Sequence, residues 1–378
     1  MAATVPLSLP DATALKLRAV HRAASELRRG TPVLMTGTEP LVLLPAETAG
    51  ARGLAEFAAI AVGPAMLLLA SVRAAGVLHT PIDSDQSVQA IHLTDSLFAP
   101  ESLSSLADPT AEQLLPEPPV RVDAPPSASA ALALTKLARL LPAVVAAPVR
   151  ADIAACAGGD AARLGLLSVS VDDVLSYPLS MAVNIVRVAE AAVPLEGAAD
   201  ARVVAFRAPD SGIEHLAILV GKPETVEAPL VRLHSECFTG DLLGSLRCDC
   251  GPQLRGAIAR MAEEGAGVLL YLAQEGRGIG LVNKLRAYAL QDSGLDTLDA
   301  NRALGWGGDE RNYLVAATML GELGIGRLRL LTNNPDKMAA LAACGVDVAG
   351  RVAHVMAPNG VNDGYLATKN ARFGHMLP

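Results

Sequence analysis

Gly267-Val268-Leu269-Leu270-Tyr271-Leu272, then Ala273-Gln274-Glu275-Gly276-Arg277-Gly278-Ile279-Gly280, then residues 281–292, is the stretch that decides the fold class. Six mostly apolar residues have the length of a buried strand, and three glycines at alternate positions make a loop. The residues that follow carry apolar side chains at helical spacing. A strand feeding a helix through a short loop is the unit of an α/β domain. The same texture extends both ways. Residues 201–208, 215–220, 229–233 and 327–332 are strand candidates, and residues 253–264, 310–323 and 336–344 are amphipathic helices.

The first half reads differently. Apolar runs at 31–35, 41–44 and 66–69 alternate with helical patterns. A proline-rich segment at 106–129 reads as a loop or linker, residues 131–149 as a helix punctuated by Pro142 and Pro148, and 166–170 as a short strand entering a helix. The expected division is 1–184 and 185–378, giving an α/β (α+β) protein of two domains.

Composition narrows the function. Lys and Arg number 31 against 39 Asp and Glu, a net charge of −8, and no basic run occurs, which disfavours nucleic acid. Aromatics are only 3%, too few for a base-stacking platform. The mean hydropathy of +0.35 raises the membrane question. The most apolar stretch, 57–72, is broken by Gly63-Pro64 and falls short of the roughly 20 residues a spanning helix needs. It reads as a buried helix, a turn and a buried strand. No secretory signal is visible, so a cytoplasmic protein is expected. Cys156 and Cys344 stand in alanine-rich surroundings and read as inert core residues.

The other three cysteines cluster. Cys237, Cys248 and Cys250 form a C-x10-C-x-C pattern. Three thiolates suit Zn²⁺ and leave one tetrahedral position open, where a bound water has a pKa near about 7. A structural zinc with His234 or Cys344 as fourth ligand, or a redox pair at Cys248 and Cys250, would use the same residues. Crowding by Glu236, Asp241, Asp249 and Gln253 favours a wet, reactive pocket. The glycine loop at 274–280 matches neither the Walker nor the dinucleotide spacing and by itself is an ordinary tight turn. Thr332-Asn333-Asn334-Pro335-Asp336-Lys337 reads as a capped helix start, a place that also favours anions. Asp309-Glu310-Arg311 reads as a capping triplet with a salt bridge.

Together, residues 232–241, 247–250, 274–280, 309–311 and 331–337 resemble GTP cyclohydrolase II in order and spacing, over about residues 185–378. The resemblance implies a mixed sheet with flanking helices and a homodimer. It implies an enzyme that opens the imidazole ring of GTP and releases formate and pyrophosphate. The product is 2,5-diamino-6-(5-phosphoribosylamino)pyrimidin-4-one, at the start of riboflavin synthesis. By motif, Cys237, Cys248 and Cys250 would hold zinc, while Arg232, Leu233, His234, Ser235, Glu236 and Gln253 would border the nucleotide. Glu275, Gly276 and Arg277 would read guanine, and Thr297, Thr332 and Lys337 would contact the nucleotide and its phosphates, with Mg²⁺. Asp309 would accept a proton and Tyr288 would assist hydrolysis. Arg311 is assigned as a nucleophile in the family, but a guanidinium is better suited to stabilising charge. A relative that halts at the formamide or serves another pathway would carry the same motifs, as would a nucleotide-binding regulatory paralogue.

The first half faintly resembles 3,4-dihydroxy-2-butanone 4-phosphate synthase. Relatives place an acidic cluster after the first strand; here residues 34–41 hold one carboxylate, Glu39. A degenerate, non-catalytic domain is expected, because metal-assisted enolisation needs more oxygen ligands.

Overall fold

A computed structural model of the chain describes residues 11–82, 88–150, 153, 165–209, 211–374 and 376. It divides into two compact units that change over between Met181 and Ala182, with the short pieces His79–Ile82 and Asp108–Gln113 grouped with the second.

The first unit is a seven-stranded mixed sheet ordered β5-β4-β3-β6-β2-β1-β7. Its strands are β1 (Val33–Thr36), β2 (Leu41–Pro45), β3 (Met66–Ala70), β4 (Val88–His92), β5 (Val120–Val122), β6 (Ala143–Pro148) and β7 (Leu167–Ser170). Its helices are α1 (Ala12–Arg28), α2 (Ala51–Ile60), α3 (Ser71–Leu78), α4 (Pro100–Ala107), α5 (Ala128–Leu137) and α6 (Val171–Val183). Helix α1 starts at Asp11, whose side chain accepts from the Ala14 amide at 2.7 Å. Its Leu17, Val20, Ala24 and Leu27 share one face and pack with Ala131 and Leu134 of α5 over Val33, Leu43 and Val144 of the sheet. Buried Arg73 donates to the Ser105 and Leu106 carbonyls at 2.7 and 2.8 Å, so its charge meets the negative end of α4.

The helix expected over 131–149 is instead the end of one helix followed by a strand. Helix α5 ends at Leu137, Arg139 turns at φ +57°, and β6 follows between β2 and β3. Pro142 cannot continue a helix, and Ala143–Ala147, buried on both faces, has no alternation to betray a strand. Within the presumed linker, Val120–Val122 forms edge strand β5. Cys156 lies outside the described residues.

The second unit holds β8 (Val186–Ala192), β9 (Arg202–Arg207), β10 (Glu214–Gly221), β11 (Leu230–Ser235), β12 (Ala266–Leu272), β13 (Arg327–Leu331) and β14 (Asp347–Val352), ordered β14-β13-β11-β12-β10-β9-β8. Strands β8, β9, β10 and β12 pair antiparallel; β12, β11, β13 and β14 run parallel. The helices are α7 (Cys250–Glu263), α8 (Leu281–Asp292), α9 (Thr297–Ala303), α10 (Leu314–Glu322), α11 (Pro335–Ala343) and α12 (Asp363–Phe373). Ala257 and Met261 of α7 bury against Leu230, Leu269 and Leu331.

From β11 the chain moves to β12 on one side, then crosses to β13 on the other. Such a reversal opens a crevice at the carboxyl ends of parallel strands, the usual ligand site of an open α/β sheet. Among the described residues, no helix is long and apolar enough to cross a membrane.

Candidate active site

A cleft forms in that crevice, with an empty volume of ≈1120 Å³ including its solvent-filled mouth. Arg232, Leu233, His234 and Ser235 reach it from β11 and Glu236 from just beyond, Cys237 and Cys248 from the segment leading into α7, and Cys250 and Gln253 from the first turn of α7. Glu275, Gly276 and Arg277 come from the loop after β12, Tyr288 from α8, Thr297 from the first position of α9, and Thr332 and Lys337 from β13–α11. Arg311 lines it too. Of the residues expected from the sequence, Asp309 alone does not line the cleft.

The sulfurs of Cys237 and Cys248 are 3.8 Å apart, and all three sulfurs lie within 4.8 Å of one another. Tetrahedral zinc with Zn–S near about 2.3 Å would set its sulfurs about 3.8 Å apart, so the group fits. Gly240 makes the fit possible. A Cβ there would stand 2.7 Å from Cys248 Sγ and 3.0 Å from Cys237 Sγ. Its amide also donates to Cys237 Sγ at 3.3 Å. The proposed fourth ligands are elsewhere: His234 Nε2 faces both Asp241 oxygens at 3.1 Å, and half-buried Cys344 caps α11. Burial holds the His234 imidazole below its ordinary pKa despite Asp241. Asp241 also accepts from the Cys237 amide at 2.9 Å and the Tyr271 hydroxyl at 3.0 Å.

Lys284 is a functional candidate that the sequence did not disclose. Its Nζ lies 3.0 Å from Cys237 Sγ, 3.0 Å from Thr239 Oγ1 and 2.8 Å from Glu275 Oε1, at 9% exposure. A lysine on an amphipathic helix normally faces water, so spacing carried no signal. The Cys237 thiol is held well below its ordinary range, first by the Cys248 and Cys250 sulfurs and then by the Lys284 ammonium. Glu275 also accepts from the Phe238 amide at 2.6 Å and the Gly276 amide at 3.1 Å. Three of its roughly four lone-pair sites are thus taken by protein.

The glycines of this loop serve the protein as well as any ligand. Gly276 sits at φ +64°, and a Cβ on Gly278 would stand 2.8 Å from the Glu310 carbonyl oxygen. The Glu310 amide closes the contact by donating to the Arg277 carbonyl at 3.0 Å. The loop is therefore clasped to the Asp309–Arg311 segment. That segment precedes α10 rather than opening it, contrary to the expected helix start at 310. Asp309 Oδ1 accepts from Arg311 Nε at 2.8 Å, Oδ2 accepts from Arg311 Nη2, and the Tyr313 hydroxyl adds a bond at 3.2 Å. Burial pushes the Asp309 carboxyl up, but Arg311 outweighs it and holds the group below the usual carboxylate value.

Cations line the same cleft. Arg232 Nη1 donates to the Leu331 carbonyl at 3.1 Å and Nη2 to Gln253 Oε1; burial lowers its pKa to about 10. Lys337 Nζ donates to the Leu233 carbonyl at 3.1 Å, and desolvation, then Arg311 and Arg232, push it well below an ordinary lysine. Thr332 Oγ1 accepts from the Asn334 amide at 3.0 Å, and Asn334 caps α11. His354 steadies this end. Its backbone pairs with the Asn333 side chain at 2.6 and 2.9 Å, and its Nε2 lies 2.8 Å from the Gln253 carbonyl. Tyr288 sits nearer the sulfurs, under Arg247 Cζ at 5.1 Å, and burial raises its pKa.

The sequence pattern of GTP cyclohydrolase II matches residues 186–353. GTP cyclohydrolase-2 of Azospirillum brasilense is 48% identical over 367 residues, covering 96% of this chain and 94% of the relative. The chain belongs to the GTP cyclohydrolase II family. Both units therefore have a counterpart in that member of the family. The riboflavin biosynthesis protein RibBA of Porphyromonas gingivalis is 44% identical over 57% of this chain and 53% of its own length. Among solved structures, a two-domain 3,4-dihydroxy-2-butanone 4-phosphate synthase from A. baumannii aligns with 89% of this chain and 99% of its own. That match has 18% identity and a TM-score of 0.34.

Proposed function

We propose that the cleft opens the imidazole ring of GTP with water and releases formate and pyrophosphate. The chain is an enzyme of GTP cyclohydrolase II type, and GTP hydrolysis in riboflavin biosynthesis is the activity of that family. One observation carries the finer reading: the clustered sulfurs and the cations Arg232, Arg311 and Lys337 line one cleft. Zinc held by Cys237, Cys248 and Cys250 would supply Lewis acidity toward water and the purine.

The chain's own residues do the rest. Glu275 keeps about one lone-pair site for guanine, beside Gly276 and Arg277. Lys337, Arg232 and Thr332 receive the triphosphate, whose oxygens also take Mg²⁺. Thr297, Ser235, Glu236, Leu233 and His234 shape the walls. Tyr288 keeps its proton at neutral pH and donates it to the developing formyl oxygen. Asp309 stays ionised and can take a proton, at the cost of loosening Arg311. Arg311, gripped through two nitrogens by Asp309, stabilises charge as pyrophosphate departs. A cytoplasmic homodimer acting on neither nucleic acid nor membrane belongs to the same reading.

The test is product analysis on the full chain with GTP, zinc and Mg²⁺. Formate and pyrophosphate together are expected, and Cys248→Ser should release no formate while remaining folded. Pyrophosphate alone would replace this reading with the halted relative, and neither product would replace it with a sensor. In the first unit, the turn between β1 and β2 brings Glu39 as the one carboxylate of residues 34–41. We infer that this unit does not make the butanone phosphate; its formation from ribulose 5-phosphate by the purified protein would overturn that.

A further inference from the structure

Beyond residue 353, where the family pattern ends, the chain makes one more helix, α12 (Asp363–Phe373). Tyr365, Lys369 and Phe373 recur every fourth residue and so share one face. All three meet the site. Tyr365 and Lys369 line the cleft, and the Phe373 ring lies under Arg277, its centroid 3.9 Å from Cζ. Lys369 Nζ is 2.6 Å from Asp249 Oδ1 and 4.4 Å from the Tyr365 ring centroid. Lys369 and Asp249 are 7% and 3% exposed. Asp249 stands between two of the clustered cysteines, and its other oxygen accepts from Gln253 Nε2. Gln253 in turn accepts from Arg232. An unbroken string therefore runs Lys369–Asp249–Gln253–Arg232, and all of it but Asp249 lines the cleft.

We propose that α12 is a working part of the nucleotide site, with Lys369 a positioning residue that fixes Arg232 through Asp249 and Gln253. Phe373 does the same for Arg277 by stacking. The proposal rests on the reading of the cleft as a GTP site. Two features argue that α12 is more than a cover. Polar contacts tie down its last turn and the chain just beyond it: Arg372 reaches Asp296 and Asp299 at 2.8 and 3.2 Å, and the Met376 amide donates to the Asn333 carbonyl at 2.8 Å. A helix held only for packing would bury an apolar stripe, whereas this one turns Lys369 and Tyr365 into the cleft and sets the Phe373 ring under Arg277. Moreover, the two residues it fixes lie at different ends of the proposed ligand, Arg232 at the phosphates and Arg277 at the base.

The test uses the full chain with three substitutions: Lys369→Met, Lys369→Arg and Phe373→Leu. Lys369→Met should raise KM for GTP tenfold or more with kcat within about threefold, and Lys369→Arg should recover most of the loss. Phe373→Leu should raise KM by a smaller factor. Equilibrium dialysis of GTP against zinc-stripped protein should show the same order of weakening. Because dialysis needs no turnover, a parent protein that binds GTP without forming formate would sink the assigned reaction while leaving this proposal measurable. Unchanged KM and unchanged dialysis in Lys369→Met overturn the proposal. Should Lys369→Met fail to fold, Phe373→Leu decides, and parent-like binding there overturns it equally.

Discussion

Gly240→Ala asks whether the sulfur group is a metal site by changing nothing but space. The added methyl would sit 2.7 Å from Cys248 Sγ, 3.0 Å from Cys237 Sγ and 3.0 Å from Cys250 Cβ. Non-bonded heavy atoms rest at about 3.5–4.0 Å, so the cysteines must retreat by up to about 1 Å. Overpacking of that size costs about 1–3 kcal/mol. Metal–ligand distances tolerate only about ±0.2 Å, so the shift far exceeds what a three-sulfur site can absorb. We expect zinc content to fall well below one per chain after dialysis against a mild chelator. Formate release should drop on the order of 100-fold, the usual effect of a 1 Å misplacement. Elemental analysis, a thermal melt and a formate assay on one preparation read all three. A folded variant that keeps a full complement of zinc and near-normal turnover would refute the reasoning, because the sulfurs could then not be gathered around an ion.

Lys284→Met leaves Glu275 buried with its cation gone, a loss of about 3–5 kcal/mol, and strips Cys237 of its ammonium neighbour. Zinc should leave faster under chelator challenge, and parent-like release would dismiss Lys284 as a support of the sulfur group. Stability should also fall with pH. Burial, then Arg232, pushes the His354 imidazole from 6.5 down to about 4. The unfolded chain therefore binds the extra proton first, and the stability of neutral His354 is present above about pH 6.5 and lost as pH falls toward 4. The whole difference approaches about 3 kcal/mol. Denaturant melts of His354→Gln should show a shallower acid decline, and an identical slope would remove His354 from the account.

Much of the second unit was legible because its strands and helices alternate with punctuation between them. The run 267–280 gave β12, the loop and α8 in order, and the cysteine pattern located the sulfur group. What escaped had weaker signals. Strand β8 is exposed at every residue, so no buried face imposes a regular alternation on its sequence. Strand β6 is buried on both faces and so mimicked a helix. Lys284 and Lys369 look like solvated helix lysines in sequence, and only tertiary packing brings each to a buried acid. Asp309 was legible as a partner of Arg311, but local spacing could not tell that it stands behind Arg311 rather than in the cleft.

The Glu275 carboxylate touches the loop that would hold the base and, through one ammonium, the sulfur of Cys237. That makes it a gauge of length between the two chemistries. On the proposed reading, any drift of the backbone beside the purine would be transmitted to the thiolate end, keeping the atom to be attacked in register with the group that would activate its attacker. A descendant enzyme seeking a different base could not remodel the loop alone; it would have to rebuild the gauge as well.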